Sequence, residues 1–135
     1  MRLRAFALAY AAAVAIHGAD HLRRGLDASP RWVIAVGGVT ILLQMFAVYS
    51  VVTRDPRAPR IALAVAVPLA LGVVLVHLLP GGSDALVGAN AAPGANAFSV
   101  VTAVLEVVTG LALAGAAWMS WRVASSTPSS PQGVR

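Results

Sequence analysis

The chain has no cysteine, no lysine and only five acidic residues: Asp20, Asp27, Asp55, Asp84 and Glu106. Without cysteine it forms no disulfide, thiolate zinc site or iron–sulfur cluster, and it has no thiol nucleophile. It also lacks a G-x-S-x-G elbow, a Walker A loop and a G-x-G-x-x-G turn. Gly81-Gly82 reads as a helix stop, not a phosphate cradle. Enzymatic chemistry would have to come through a bound metal or haem, so the sequence leans away from an enzyme. Aromatic residues make up only 6%, with three Phe, which is sparse lining for a porphyrin. Charged residues make up 11%, against about 25% in a soluble domain. A solvated globular surface cannot be built from that supply.

All ten basic residues are arginine, giving a formal charge of +5 and a pI near 11.4. Such a balance invites a nucleic-acid reading. The arginines, however, sit in short groups at the ends of apolar runs, as flanks of membrane spans do. They form no basic stripe with stacking aromatics, so no nucleic-acid partner is expected.

What is abundant is apolar: 59% of residues are hydrophobic and the mean hydropathy is +0.80. Four runs stand out, at 3–22, 32–53, 60–79 and 97–121, each about the ~20 residues that cross a bilayer. Lipid offers no partner to backbone groups, so these runs should be helices. The breaks carry turn chemistry. Ser29-Pro30 precedes the second run, Asp55-Pro56 and Pro59 the third, and Asn96 the fourth, while Pro80-Gly81-Gly82 ends the third. The expected fold is all-α, a polytopic membrane protein with a four-transmembrane-helix bundle. It forms a single domain over 1–124 with a disordered Ser/Thr/Pro-rich tail at 125–135. A short turn at Asp84–Val87 is expected to lie at the interface.

Four spans put both termini and the middle loop on one side. That side holds Arg2, Arg4, Arg54, Arg57, Arg60, Arg122 and Arg135; the other holds Arg23, Arg24 and Arg31. The positive-inside rule then makes the termini cytoplasmic and loops 23–31 and 80–96 outward-facing. The inner (plasma) membrane of a bacterium with a GC-rich genome suits the Ala/Val/Arg-rich, lysine-free composition. A rival for the first run is a secretory signal cleaved after Ala13-Val14-Ala15. The apolar run continues past Ala15, which favours a retained span.

The most informative segment is His17-Gly18-Ala19-Asp20-His21. Residues i, i+3 and i+4 share a helix face, so His17, Asp20 and His21 converge. Two imidazoles one turn apart can chelate a metal ion, and a carboxylate beside them can ligate it or orient a ring. His77, at the end of the third run, falls at similar depth in the outer half. Glu106 lies ~13 Å into the fourth run and His17 ~7 Å into the first, at 1.5 Å per residue. The set is therefore either two tiers (His21, His77 and Asp20 above, His17 and Glu106 below) or one merged site. Small and polar stripes mark helix-packing faces: Ser99, Thr102, Ala103, Glu106, Thr109 and Gly110 on the fourth run, and Gly37, Thr40, Gln44 and Ala47 on the second. Trp32, Trp118 and Trp121 read as interfacial anchors.

Three functions from different classes follow. The first is an outward-facing site of His17, His21, His77, Asp20 and Glu106 for a divalent transition metal, zinc or copper, with haem between two histidines as a lesser form. The second is a non-catalytic accessory subunit that packs its polar faces against a protein partner or another copy of itself within the bilayer. The third is a proton or solute path in an oligomer, since buried Asp/Glu/His chains mark relays.

Overall fold

The computed structural model describes residues 2–126. They form four helices and no strand: α1 (Arg2–Arg24), α2 (Arg31–Val52), α3 (Ala58–Val73) and α4 (Ala97–Ser126). α1, α2, α4 and, with the turn that extends it to Leu78, α3 are long and apolar enough to cross a membrane. Their limits follow the apolar runs, except that α4 continues five residues beyond 121 and takes in Ser125 and Ser126. The remainder of the expected tail lies outside the described residues. α1 runs unbroken through Ala13–Ala15.

Local chemistry sets the ends. Asn96 caps α4, its Oδ1 accepting from the backbone N–H of Phe98 (2.9 Å) and Ser99 (3.3 Å). Pro59 lies in the first turn of α3, where its missing N–H is harmless. Ser29 does not cap α2. Pro30 occupies the cap position, and the buried Ser29 hydroxyl turns instead to His21.

The core is built for close approach. Ala58, Ala62, Ala66 and Ala70 recur every fourth residue along α3 and are all buried. They face α1 and α4, which contribute Ala7, Tyr10, Val14, Leu113, Ala114 and Ala117. With lipid as apolar as leucine, small residues that let backbones meet supply the packing. Gly110 belongs to this scheme: a Cβ there would lie 3.1 Å from the Tyr10 ring. Gly37 does not, because its Cβ would meet nothing within 4 Å. The expectation that Gly37 marks a packing face is therefore corrected.

The difference lies in α2. Its buried residues are Gln44, Ala47, Val48, Ser50 and Val51 near one end, but only Val33 toward the other. The helix joins the bundle at the end bearing the termini, where the Arg4 guanidinium donates to the Val52 carbonyl. It stands off at the opposite end. Large apolar residues such as Leu42, Phe46, Leu71 and Val101 coat the exterior.

α3 carries two irregularities. Pro68 sits inside it, and its last turn, Val74–Leu78, is π-helical. Such widened turns recur at functional sites, and this one carries His77. After it the chain folds back over its own helix end. Asp84 N–H donates to the Val76 carbonyl (3.2 Å) and Leu86 N–H to the His77 carbonyl (2.8 Å). Gly82 permits the return, because a Cβ there would collide with the Val76 and Leu75 carbonyl oxygens. Asp84, Ala85 and Leu86 are consequently buried. The segment expected as a turn at Asp84–Val87 packs back against the end of the bundle as a plug.

Candidate metal centre

The three histidines meet at the end of the bundle closed by that plug. Their ring centroids form a near-equilateral triangle: His17–His21 5.1 Å, His17–His77 5.0 Å and His21–His77 5.2 Å. One ring nitrogen from each lies within 4.8 Å of the others. His17 and His77 are buried and His21 is partly so. The i, i+4 spacing on α1 brings two of the rings, and the π turn of α3 brings the third.

Each ring is held from behind. His17 Nδ1 lies 2.6 Å from Glu106 Oε2, and Glu106 Oε1 accepts from Gln44 Nε2 at 2.7 Å. The buried Tyr10 hydroxyl and Gln44 Oε1 have no hydrogen-bond partner among the described residues. His77 Nδ1 lies 3.1 Å from the Asp84 carbonyl and 3.3 Å from Asp84 Oδ2. Both are acceptors, so Nδ1 carries the hydrogen and Nε2 the lone pair. His21 Nδ1 accepts from Arg24 at 3.1 Å and lies 3.3 Å from Ser29 Oγ. His17 Nε2 is buried and has no hydrogen-bond partner among the described residues. Buried polar atoms are rarely left so.

Around the triad runs an ion-pair network. Asp20 is fully buried, and both its oxygens are taken. Arg23 donates to Oδ1 from Nε (2.9 Å) and Nη2 (2.8 Å), and Arg24 Nε donates to Oδ2 (3.1 Å). Arg24 also grips Asp84, donating at 3.3 and 3.0 Å. Arg23 continues to the Gly94 carbonyl and Ser99 Oγ, both at 3.1 Å. Burial pushes the Asp84 carboxyl up, but hydrogen bonds from His77, Arg24 and Ser29, with the Arg24 charge, outweigh it. They hold the group well below the usual carboxylate range.

Of the five residues expected at the site, the structure brings His17, His21 and His77 face to face. Glu106 stands one layer behind, against His17. Asp20 is turned to the arginines. The arrangement is thus one merged cluster rather than two tiers. Sequence reasoning did not single out Arg23, Arg24, Asp84 or Ser29 as part of this centre. Asp84 had a signal, being the one charge in the 80–96 loop. The arginines had none, because span-flanking charges are common.

The chain matches no family model, no curated protein and no solved structure.

Proposed function

We propose that the protein is a multi-pass membrane protein that binds a divalent transition metal, zinc or copper, through His17, His21 and His77. The observation that carries this reading is the buried, unpartnered Nε2 of His17 in a triangle of imidazoles. A metal-ligating histidine usually gives its other ring N–H to a carboxylate or carbonyl. Glu106 serves His17 in this way, and the Asp84 carbonyl serves His77. His21 differs: its Nδ1 accepts from Arg24, so it reaches the same state only once Arg24 turns away and an Nδ1 hydrogen faces Ser29 Oγ. A tetrahedral ion with nitrogens at ~2.0–2.1 Å sets them ~3.3 Å apart. The ring nitrogens, now within 4.8 Å of one another, would close to that distance by side-chain rotation. Three protein ligands leave a fourth position open, as in sites where zinc binds a water or substrate.

By the arginine distribution, the site faces outward and both termini are cytoplasmic. Asp20 contributes through the network that fixes the end of α1. The test is metal analysis with an absorption spectrum on detergent-purified protein. The expected result is about one bound ion per chain, lost in each of His17→Ala, His21→Ala and His77→Ala. Failure of zinc, copper and cobalt to bind the wild type overturns the reading, and a Soret band after adding haem replaces it with the haem form.

A further inference from the structure

Because α2 stands off at the histidine end, an apolar gap of about 490 Å³ opens between it and α1. Val14 and Gly18 on one side and Gly37, Gly38 and Ile41 on the other form its walls, and His21 closes its end. Leu22 and Ile41, which also line it, are exposed apolar residues, so the gap faces the lipid zone. A smaller cavity of about 90 Å³ shares Val14, Gly18, Gly37, Ile41 and His21 with it and continues to His17, His77 and Glu106. The two meet along these shared residues, so the gap leads from the bilayer side toward the triad, where His17 Nε2 itself is buried. Cβ atoms on Gly18, Gly37 or Gly38 would meet nothing within 4 Å. These glycines therefore keep a passage open rather than let helices touch.

The volume lies in the range of sites that hold small molecules, about 300–1,000 Å³. Its chemistry is two-part: apolar walls, then a polar end. Three carboxylates (Asp20, Asp84, Glu106) face two guanidiniums (Arg23, Arg24) around the triad. A divalent ion there leaves one positive charge uncompensated, which favours an anionic fourth ligand. We propose that this site takes a long-chain carboxylate, which enters sideways from the bilayer between α1 and α2 and places its head on the metal held by His17, His21 and His77. The inference rests on the metal reading above.

The experiment uses full-length protein in lipid nanodiscs loaded with Co²⁺, whose visible bands report its ligands. Dodecanoate is titrated in and the band change recorded, against acetate, hexanoate and octanoate. The expected result is a spectral change that saturates, with apparent affinity rising by up to about fourfold per methylene. Gly38→Leu fills the gap without touching the histidines. It should weaken dodecanoate at least tenfold while leaving the cobalt spectrum and the acetate response unchanged. Val39→Leu, at an exposed position outside the gap, controls for partitioning into lipid and should change nothing. If Gly38→Leu loses the cobalt bands, Ile41→Trp makes the same comparison from another wall position. Equal dodecanoate affinity in wild type and the gap-filling variant overturns the proposal while the metal reading stands. Absence of cobalt bands in the wild type overturns both.

Discussion

Glu106→Gln separates an orienting role from a merely structural one. The substitution preserves size and removes the charge. In the wild type, Oε2 lies 2.6 Å from His17 Nδ1, and Oε1 accepts from Gln44 Nε2 at 2.7 Å. The new amide has one acceptor oxygen for two donors. Gln44 can restore the pairing by turning its own amide over, so the fold should survive with little cost. The basicity lent to His17 by a facing carboxylate is lost. Replacing such outer partners costs 10–100-fold in metal affinity, which is about 1.4–2.8 kcal/mol at 1.4 per tenfold. Competition with a chromophoric chelator would measure it, with circular dichroism and thermal melting to confirm the fold. An unchanged metal affinity in a folded Glu106→Gln protein would refute the assigned role. A complete loss, equal to His17→Ala, would show instead that Glu106 is itself a ligand.

The ion-pair network makes its own predictions. Arg24→Ala strands Asp84 inside the plug; removing one partner of a buried pair costs ~3–5 kcal/mol, read as a lower melting temperature in detergent. Gly82→Ala should displace the plug, because its Cβ meets the Val76 and Leu75 carbonyls, and so weaken metal binding through His77 and Asp84. Gly37→Ala, whose Cβ meets nothing, should leave melting temperature and metal content unchanged. Acid dependence follows from Asp84. Its folded-state pKa is lowered, so its stabilising effect is complete above the ordinary value of about 3.9 and fades as pH falls below it. In metal-free protein melted from pH 7 to pH 3, the share of stability owed to Asp84 should be lost only toward the acid end, and Asp84→Asn should flatten that part of the curve.

The helices were legible because each follows from one strong signal, an uninterrupted apolar run of about the length that crosses a bilayer. The convergence of His17 and His21 followed from helical periodicity alone. That His77 joins them was inferred from depth, not from a motif. Its ring is aimed by the π turn at Val74–Leu78, and nothing in the residue pattern announces that turn. The standing of Asp20 was not legible. Periodicity places it on the histidine face, but Arg23 and Arg24 follow at i+3 and i+4 and compete for the same carboxylate. Gly37 shows a related limit. A small residue in a membrane helix marks either a close contact or an opening, and only the packing of α2 tells which.

The three readings differ in what they leave unexplained. An accessory subunit accounts for the alanine ladder of α3 and for Gly110, which serve packing alone. It offers no reason for a buried ring nitrogen without a partner, which costs free energy in an apolar interior. A proton path needs polar groups through the full depth of the bundle. Among the described residues the hydrogen-bonded chain His17–Glu106–Gln44 ends at Gln44, and Tyr10, whose hydroxyl has no partner, is buried in the apolar cluster with Ala7, Val51, Ala58 and Leu113. Within one chain a path that stops in such a cluster moves no proton to the other side, so that reading needs a second copy. A metal accounts for the unpartnered His17 nitrogen, though not for the other buried atoms without a partner, among them Tyr10 Oη and Gln44 Oε1. It takes the free nitrogen as a ligand, the carboxylate behind His17 as its orienter and the Asp84 carbonyl behind His77 as another. The arginines then have a purpose as well. By engaging Asp20 and Asp84 they keep those carboxylates from collapsing onto the ion, so that the imidazoles bind it and one coordination position stays open toward the gap between α1 and α2.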